Sequence, residues 1–273
     1  MENKIRNVNE VAVFEDTVKR SLNTYKAQTQ SLIKNTMVYT DLIDSVKFRK
    51  NKKMEVSVVI DGTVSAGKKC VEQYGGITAI LNFADALVPG GLVLVGATTQ
   101  EENICRCSNL YQSLTSDIPK KHYYDANNEL DFGRKTNKSI YLDNLIYSPS
   151  VLFFKDDVTY KKVKPYYMDV ITCPSPSTWI KPVKKEYEII GRRTEQIVKS
   201  AILNGVTNLV LGAWGCGAFM QDPKVVSECF KNAIEKYGAF DHVIFAIRGC
   251  SADSYGRNNN NYNAFCKTFG EVK

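Results

Sequence analysis

Short apolar runs alternate with longer amphipathic segments along most of this chain. A β-branched run at residues 56–60 indicates a buried strand, because only Ser57 interrupts it. Further strand patterns occupy residues 77–83, 167–172, 208–212 and 243–247. Helical periodicity occupies residues 65–74, 184–204, 223–237 and 258–269, with one or two more helices within residues 9–43. This alternation predicts an α/β chain with three layers, α/β/α.

Two segments depart from the alternation. Residues 140–147 and 151–155 are both strand-like and flank Ser148-Pro149-Ser150, which predicts a hairpin and therefore a mixed sheet, not an all-parallel one. Residues 116–139 are polar and rich in Asp, Asn, Lys and Tyr, which predicts an excursion over the surface, at the edge of a bound substrate.

The most informative stretch follows the strand at residues 77–83. A loop containing Gly90 and Gly91 leads into a predicted helix at residues 100–110, whose first turn holds Glu101 and Glu102. Acidic residues are favoured there by the helix dipole alone, so their position does not by itself indicate catalysis. Neighbouring helical positions point about 100° apart, so only one carboxylate can face a reacting atom squarely.

A second glycine-rich loop follows the strand at residues 208–212 and contains Gly215, Cys216, Gly217 and Phe219. Both loops leave the carboxyl end of a strand, where open α/β sheets bind ligands. Two sets of backbone N–H groups could cradle a diphosphate there. Trp214 and Cys216 fit packing better than chemistry, because no basic partner for the thiol can be named.

Composition excludes several functions. Only two histidines and eight dispersed cysteines, without a C-x-x-C pair, argue against a zinc site and against a Ser-His-Asp or Cys-His hydrolase. The segment at residues 62–69 nearly matches a P-loop, but Lys69 replaces the Mg²⁺-binding hydroxyl. The net charge of +7 does not indicate a nucleic-acid-binding protein, because the basic residues are not interleaved with aromatic residues. No bilayer-length apolar run or secretory leader is evident, so we expect a cytoplasmic protein.

The first loop carries, in order, Asn82-Phe83-Ala84, Pro89-Gly90-Gly91 and Gln100-Glu101-Glu102. This signature resembles that of the microbial-type poly(ADP-ribose) glycohydrolases, which are built on a macrodomain. The family has a third glycine where this chain has Leu92. The second loop is similar to the family's Trp-Gly-Cys-Gly-x-Phe loop, and a weaker resemblance runs from about residue 13 to residue 265.

The resemblance implies roles for the candidate residues. Glu102 would be the catalytic acid and base, supported by Glu101 and Gln100, and no metal or other cofactor would be needed. Asn82 would reach the adenine side and Asp85 the distal ribose, although both residue types also make local turns. The remaining candidates for ADP-ribose binding are the loop residues Gly90, Gly91, Gly215, Cys216, Gly217 and Phe219.

The resemblance also predicts the organisation and partners of the chain. Residues 1–50 would form a helical extension packed on a macrodomain-like catalytic domain, residues 51–273, within one domain overall. The enzyme would be a monomer that hydrolyses ribose–ribose bonds of poly(ADP-ribose), from the free end, on ADP-ribosylated proteins. Two alternatives stay open: a non-catalytic macrodomain that binds ADP-ribose, and a hydrolase for another ADP-ribosylated acceptor.

Overall fold

The computed structural model describes residues 9–133, 140–177, 186–248 and 260–270, and these form a seven-stranded sheet with helices on both faces. The strands are β1 (Met37–Tyr39), β2 (Glu55–Ile60), β3 (Ile77–Phe83), β4 (Leu145–Lys155), β5 (Lys162–Cys173), β6 (Val206–Leu211) and β7 (His242–Ile247). The predicted three-layer α/β/α architecture is confirmed.

Ten α-helices are present in the described ranges. They are α1 (Glu10–Leu22), α2 (Lys26–Asn35), α3 (Thr63–Gln73), α4 (Gln100–Cys107), α5 (Leu110–Leu114), α6 (Asp117–Pro119), α7 (Ala126–Gly133), α8 (Glu186–Leu203), α9 (Pro223–Tyr237) and α10 (Asn260–Phe269). Residues 134–139, 184–185 and 258–259, which belong to three predicted elements, lie outside the described residues. No helix in the described part of the chain is both long and apolar enough to cross a membrane.

The strand order is β1-β4-β5-β3-β6-β7-β2. Strands β5, β3, β6, β7 and β2 run parallel, whereas β4 is antiparallel to both of its neighbours, so the sheet is mixed as predicted. Side chains alternate between two buried faces: Ala79 and Leu81 pack under α8 and α9, and Ile80 packs under α1 and α3. Parallel strands covered on both faces read as continuous apolar runs.

The hairpin predicted within residues 140–155 is wrong. Residues 145–155 form the single strand β4, whose register shifts between Ser148 and Val151, and the hairpin turn lies instead between β4 and β5. Ser150 adopts φ 54° and donates its N–H to Asp169 Oδ1 at 2.7 Å. Because β5 supplies this acceptor, the turn-like residues form an irregularity within a strand and do not end it.

Two other predictions need correction. Strand β2 is not buried throughout: it is the sheet edge, only Val58 of its residues is buried, and Ile60 is 63% exposed. The stretch predicted as a surface excursion contains α6, a π-helical turn at Lys120–Asp125, and α7. Tyr123 and Tyr124 within it are buried in the core. The sequence did not reveal their burial, because most of their neighbours in the chain are polar.

The N-terminal helices pack against the rest of the fold beside α4. Thr17 on α1 donates to the carbonyl of Arg106 at 2.6 Å, and Arg106 donates to the carbonyl of Glu10 at 3.1 Å. Residues 37–39 then add β1 to the sheet edge. The predicted helix at residues 100–110 ends earlier, at Cys107, because Asn109 exchanges hydrogen bonds with Leu152 of β4.

Candidate active site

One cavity of about 650 Å³ lies at the carboxyl ends of β2, β3, β6 and β7. This volume is in the range of pockets that bind nucleotide-sized ligands. Both loops identified in the sequence line it, so residues far apart in the chain face one space. The predicted candidates that line the cavity are Asp85, Gly91, Gln100, Glu101, Glu102, Gly215, Cys216, Gly217 and Phe219.

Gln100 attaches the start of α4 to the end of β3. Its Oε1 accepts from the N–H of Phe83 at 2.8 Å, and its Nε2 donates to the carbonyl of Leu81 at 2.7 Å. Strand β6 pairs with β3 only as far as Ile80, so the Gln100 amide makes the hydrogen bonds that a neighbouring strand would make further along. The helix therefore begins at a fixed position relative to the sheet.

Glu101 is buried in the cavity wall, and both of its carboxylate oxygens accept hydrogen bonds. Its Oε1 accepts from Asn82 Nδ2 at 3.1 Å, and its Oε2 accepts from the backbone N–H of Asp85 at 2.8 Å. Burial raises the pKa of Glu101 well above its usual range, and the two hydrogen bonds only partly oppose this effect. Glu101 thus fixes the loop that follows β3.

Glu102 faces the loop that contains Gly90 and Gly91. Its Oε1 accepts from the N–H of Leu92 at 3.0 Å, and its Oε2 accepts from the hydroxyl of the preceding Thr99. A Cβ added to Gly91, which has φ 58°, would lie 2.6 Å from Glu102 Oε1. Glycine is therefore required here twice, by backbone conformation and by the closeness of the carboxylate.

The second loop is held by its own backbone. The N–H groups of Trp214, Cys216 and Gln221 donate to the carbonyls of Gly212, Ala213 and Gly215 at 2.8, 3.1 and 3.0 Å. Trp214 is buried and donates its indole N–H to the carbonyl of Cys173 at 3.0 Å. Burial also raises the pKa of Cys216, which keeps it a thiol and agrees with a packing role.

Two predicted contact residues lie elsewhere, and a third has a local role. Asn82 is fully buried and supports Glu101, so it does not line the cavity. Gly90 is also outside the cavity wall and packs against the ring of Tyr111. Asp85 does line it, but its Oδ1 accepts from the N–H groups of Leu87 and Val88 at 2.7 and 2.9 Å, forming a local turn.

Several cavity residues were not identified from the sequence: Asp61, Thr63, Ser175, Gln221 and Arg248. A usable signal existed for Asp61 and Arg248, because each directly follows a parallel strand. Gln221 offered none. It is buried, donates to the carbonyl of Pro176 at 2.6 Å, and has no hydrogen-bond partner for Oε1 in the described structure.

A cavity at the carboxyl ends of parallel strands, with the Glu102 carboxylate held in its wall beside Gly91, is typical of an α/β/α hydrolase of the macrodomain type. The profile of the microbial-type PARG catalytic domain matches residues 10–156, which include the whole first loop and both glutamates. The chain belongs to this family of poly(ADP-ribose) glycohydrolases. No curated protein sequence matches it significantly.

Solved structures agree over nearly the whole chain. Poly(ADP-ribose) glycohydrolase from Thermomonospora curvata superimposes with a TM-score of 0.79 at 26% identity, covering 95% of this chain and 99% of that one. The same enzyme bound to the inhibitor ADP-HPD gives 0.78 at 27% identity, with the same coverage. The Deinococcus radiodurans enzyme in complex with ADP-ribose gives 0.72 at 28% identity, covering 88% of this chain and 96% of that one.

Proposed function

We propose that this poly(ADP-ribose) glycohydrolase uses Glu102 as its general acid and base, and that it removes ADP-ribose units from the free end of the polymer. The observation that carries the proposal is the hydrogen bonding of Glu102. Its carboxylate lies in the cavity wall between the N–H of Leu92 and the hydroxyl of Thr99. A carboxylate has about four acceptor positions, so capacity for a substrate hydroxyl remains.

The two adjacent glutamates therefore have different functions in the proposal. Both oxygens of Glu101 accept hydrogen bonds from protein groups, the amide of Asn82 and the backbone N–H of Asp85. Glu102 is also buried, and its carboxylate is oriented by two donors of the loop that contains Gly91, the N–H of Leu92 and the hydroxyl of Thr99. Fixed orientation is what proton transfer in a transition state requires.

The reaction needs one carboxyl group used twice. Protonated Glu102 gives its proton to the 2′-oxygen of the leaving unit as the bond from that oxygen to C1″ breaks. Positive charge then develops at C1″ and the ring oxygen, as in other glycoside hydrolyses. The Glu102 carboxylate next takes a proton from water, whose oxygen bonds to C1″, and the carboxyl group is restored. The products are free ADP-ribose and a polymer shortened by one unit.

In this proposal, a single terminal ADP-ribose would occupy the cavity of about 650 Å³. The loop at Gly215 and Gly217 would bind the diphosphate through backbone N–H groups, Phe219 would pack against the adenosine end, and Asp85 would accept ribose hydroxyls. The solved Deinococcus radiodurans relative is a complex with ADP-ribose, which supports this occupant. We expect the polymer to reach the enzyme attached to ADP-ribosylated proteins.

The deciding experiment is Glu102→Gln. The variant keeps the side chain's shape and an acceptor for the N–H of Leu92, but it cannot transfer a proton. We expect the rate of ADP-ribose release from poly(ADP-ribose), measured by chromatography, to fall by about a thousandfold or more. Binding of ADP-ribose, followed by calorimetry, should stay within a few-fold of the wild type.

Glu235→Gln is the matched control, because Glu235 is exposed on α9 and, within the described residues, its carboxylate pairs with Lys231 alone, at 3.8 Å. It should turn over polymer at the wild-type rate. Wild-type turnover by Glu102→Gln would refute the assignment of Glu102. Loss of ADP-ribose binding together with turnover would show that Glu102 is needed to shape the cavity, and would also contradict the proposed role.

A further inference from the structure

An exposed apolar rim borders the cavity next to Glu102. Leu92, Leu94 and Val95 lie in and around a 3₁₀ turn, and their side chains are 57%, 58% and 73% exposed. Of the three, only Leu92 lines the cavity. Its φ of −98° and ψ of 31° are open to any residue, so the backbone at this position does not require glycine.

The position of Leu92 relative to the reacting atoms is constrained by one hydrogen bond. Its N–H donates to Glu102 Oε1 at 3.0 Å, and standard bond lengths then place its Cβ within about 5 Å of that oxygen. A proton donor must lie about 3 Å from the oxygen that it protonates. The Leu92 side chain is therefore within reach of groups attached close to the leaving oxygen.

The chemistry of the polymer says what those groups are. The leaving oxygen is O2′ of the penultimate unit, and the adenine of that unit is attached to the adjacent carbon, C1′. The terminal ADP-ribose fills the cavity, so the penultimate unit lies outside it, at the rim beside Glu102. An adenine face in contact with an aliphatic side chain removes apolar surface from water.

We propose that Leu92 is a specificity-determining residue whose side chain contacts the adenine of the leaving unit, favouring polymer over leaving groups without a base. The inference rests on the proposed function, because it uses Glu102 as the proton donor. The same contact would hold O2′ near the Glu102 carboxyl group, so it should act on kcat/KM for polymer. Inside the cavity, the terminal unit would be bound independently of Leu92.

The test compares two substrates: a dimer of ADP-ribose, and its analogue in which hydrogen replaces the adenine of the leaving unit. The wild type should prefer the dimer by about tenfold in kcat/KM, the usual effect of a modest apolar contact. Leu92→Ala should lose most of that preference. Leu92→Met, which restores apolar length, should keep it. Leu94→Ala is the matched control, because Leu94 is equally exposed on the same turn but outside the cavity wall, and it should behave as wild type.

Each outcome is decisive. An equal fall in kcat/KM for both substrates in Leu92→Ala would overturn the inference, because Leu92 would then act only by holding the carboxylate loop. A wild type that does not distinguish the substrates would overturn it as well. In either case, an inactive Glu102→Gln would leave the proposed function intact. Should Leu92→Ala not fold, Leu92→Asn, similar in size but polar, provides the same comparison.

Discussion

The two loops that form the cavity are stabilised in opposite ways. The acid loop, residues 84–102, is held by side chains. Gln100, Glu101 and Glu102 each accept a hydrogen bond from a backbone N–H of β3 or of the loop itself. In the glycine loop, residues 212–221, backbone groups bond mainly to one another. Proton transfer depends on a fixed side chain, whereas a diphosphate can be bound by backbone N–H groups. The first loop is thus restricted in residue type, and the second mainly in conformation.

Of the glycine substitutions, Gly91→Ala should reduce turnover the most, because it disturbs the acid loop at both carboxylates. The new Cβ would lie 2.6 Å from Glu102 Oε1 and 3.2 Å from Glu101 Oε2, so both carboxylates must shift. A displacement of about 1 Å in a catalytic group costs about a hundredfold in rate, and we expect that loss in kcat. The kcat of the variant is measured from the rate of ADP-ribose release from the polymer.

The control for Gly91→Ala is Gly96→Ala. Gly96 has a similar positive φ, 85°, but the nearest atom to its added Cβ is Val11 Cγ2 at 3.4 Å, away from both carboxylates. Both variants should lose about 1–2 kcal/mol of unfolding free energy through backbone strain. Only Gly91→Ala should lose turnover. A similar loss in both variants would show that loop stability, and not the carboxylate geometry, limits the reaction.

The glycine loop should respond through binding. In Gly215→Ala, the added Cβ would lie 2.7 Å from Ser175 Cβ and 2.8 Å from Gln221 Cγ, so the loop must move. We expect ADP-ribose affinity, measured by calorimetry, to fall about tenfold with a smaller change in kcat. Gly217→Ala is a more specific test, because its added Cβ has no atom within 4 Å among the described residues, its chain neighbours aside.

Gly217→Ala should leave the melting temperature near that of the wild type. If the loop binds the diphosphate by close backbone approach, the added methyl group should nevertheless weaken ADP-ribose binding. Unchanged affinity in both glycine variants would contradict a diphosphate-binding role for this loop. A loss of kcat without a loss of affinity would show that the two loops do not divide binding and catalysis as proposed.

The sequence predicted the sheet core and both loops because each has a local signal. Strand β3 and helix α9 have the predicted bounds. The residues of β3 are apolar except for Thr78 and Asn82. Helix α9 begins at Asp222-Pro223, where the Asp222 side chain accepts from the N–H of Lys224 at 2.9 Å, and ends at Gly238. The glutamates were identified by the resemblance of the Gln100-Glu101-Glu102 signature to the family's, because a place in a first helical turn does not by itself indicate catalysis. Signals of this kind depend only on neighbouring residues.

The errors concern features that distant partners decide. Ser148-Pro149-Ser150 has turn chemistry, yet Asp169 on another strand keeps it within β4. Asn82 follows the pattern of a ligand contact, yet Glu101 and Thr172 both lie within hydrogen-bonding distance of its amide nitrogen. The exposure of β2 follows from its place at the sheet edge, and a β-branched run does not reveal strand order.

Comparing two carboxylates gives the smallest and most specific prediction. Burial raises the pKa of Glu101, whereas at Glu195, on α8, burial acts in the same direction but hydrogen bonds from Tyr237, Lys199 and Lys236 outweigh it and lower the pKa to about 2. A raised pKa in the folded state means that the group's stabilising contribution is present below the unfolded value, about 4.3, and is lost as pH rises. A lowered pKa means the reverse: the contribution is present above that value and is lost as pH falls toward 2.

The two isosteric variants should therefore have opposite pH slopes. Unfolding free energy from urea titrations should favour the wild type over Glu101→Gln less and less as pH rises above about 4.3. The advantage of the wild type over Glu195→Gln should instead disappear as pH falls from about 5 toward 2. Parallel slopes would contradict the idea that the acid loop keeps a buried carboxylate for positioning. Opposite slopes would show that the charged form of Glu101 is disfavoured in the folded protein. Such a cost is expected of a residue that positions the acid loop, which carries Glu102.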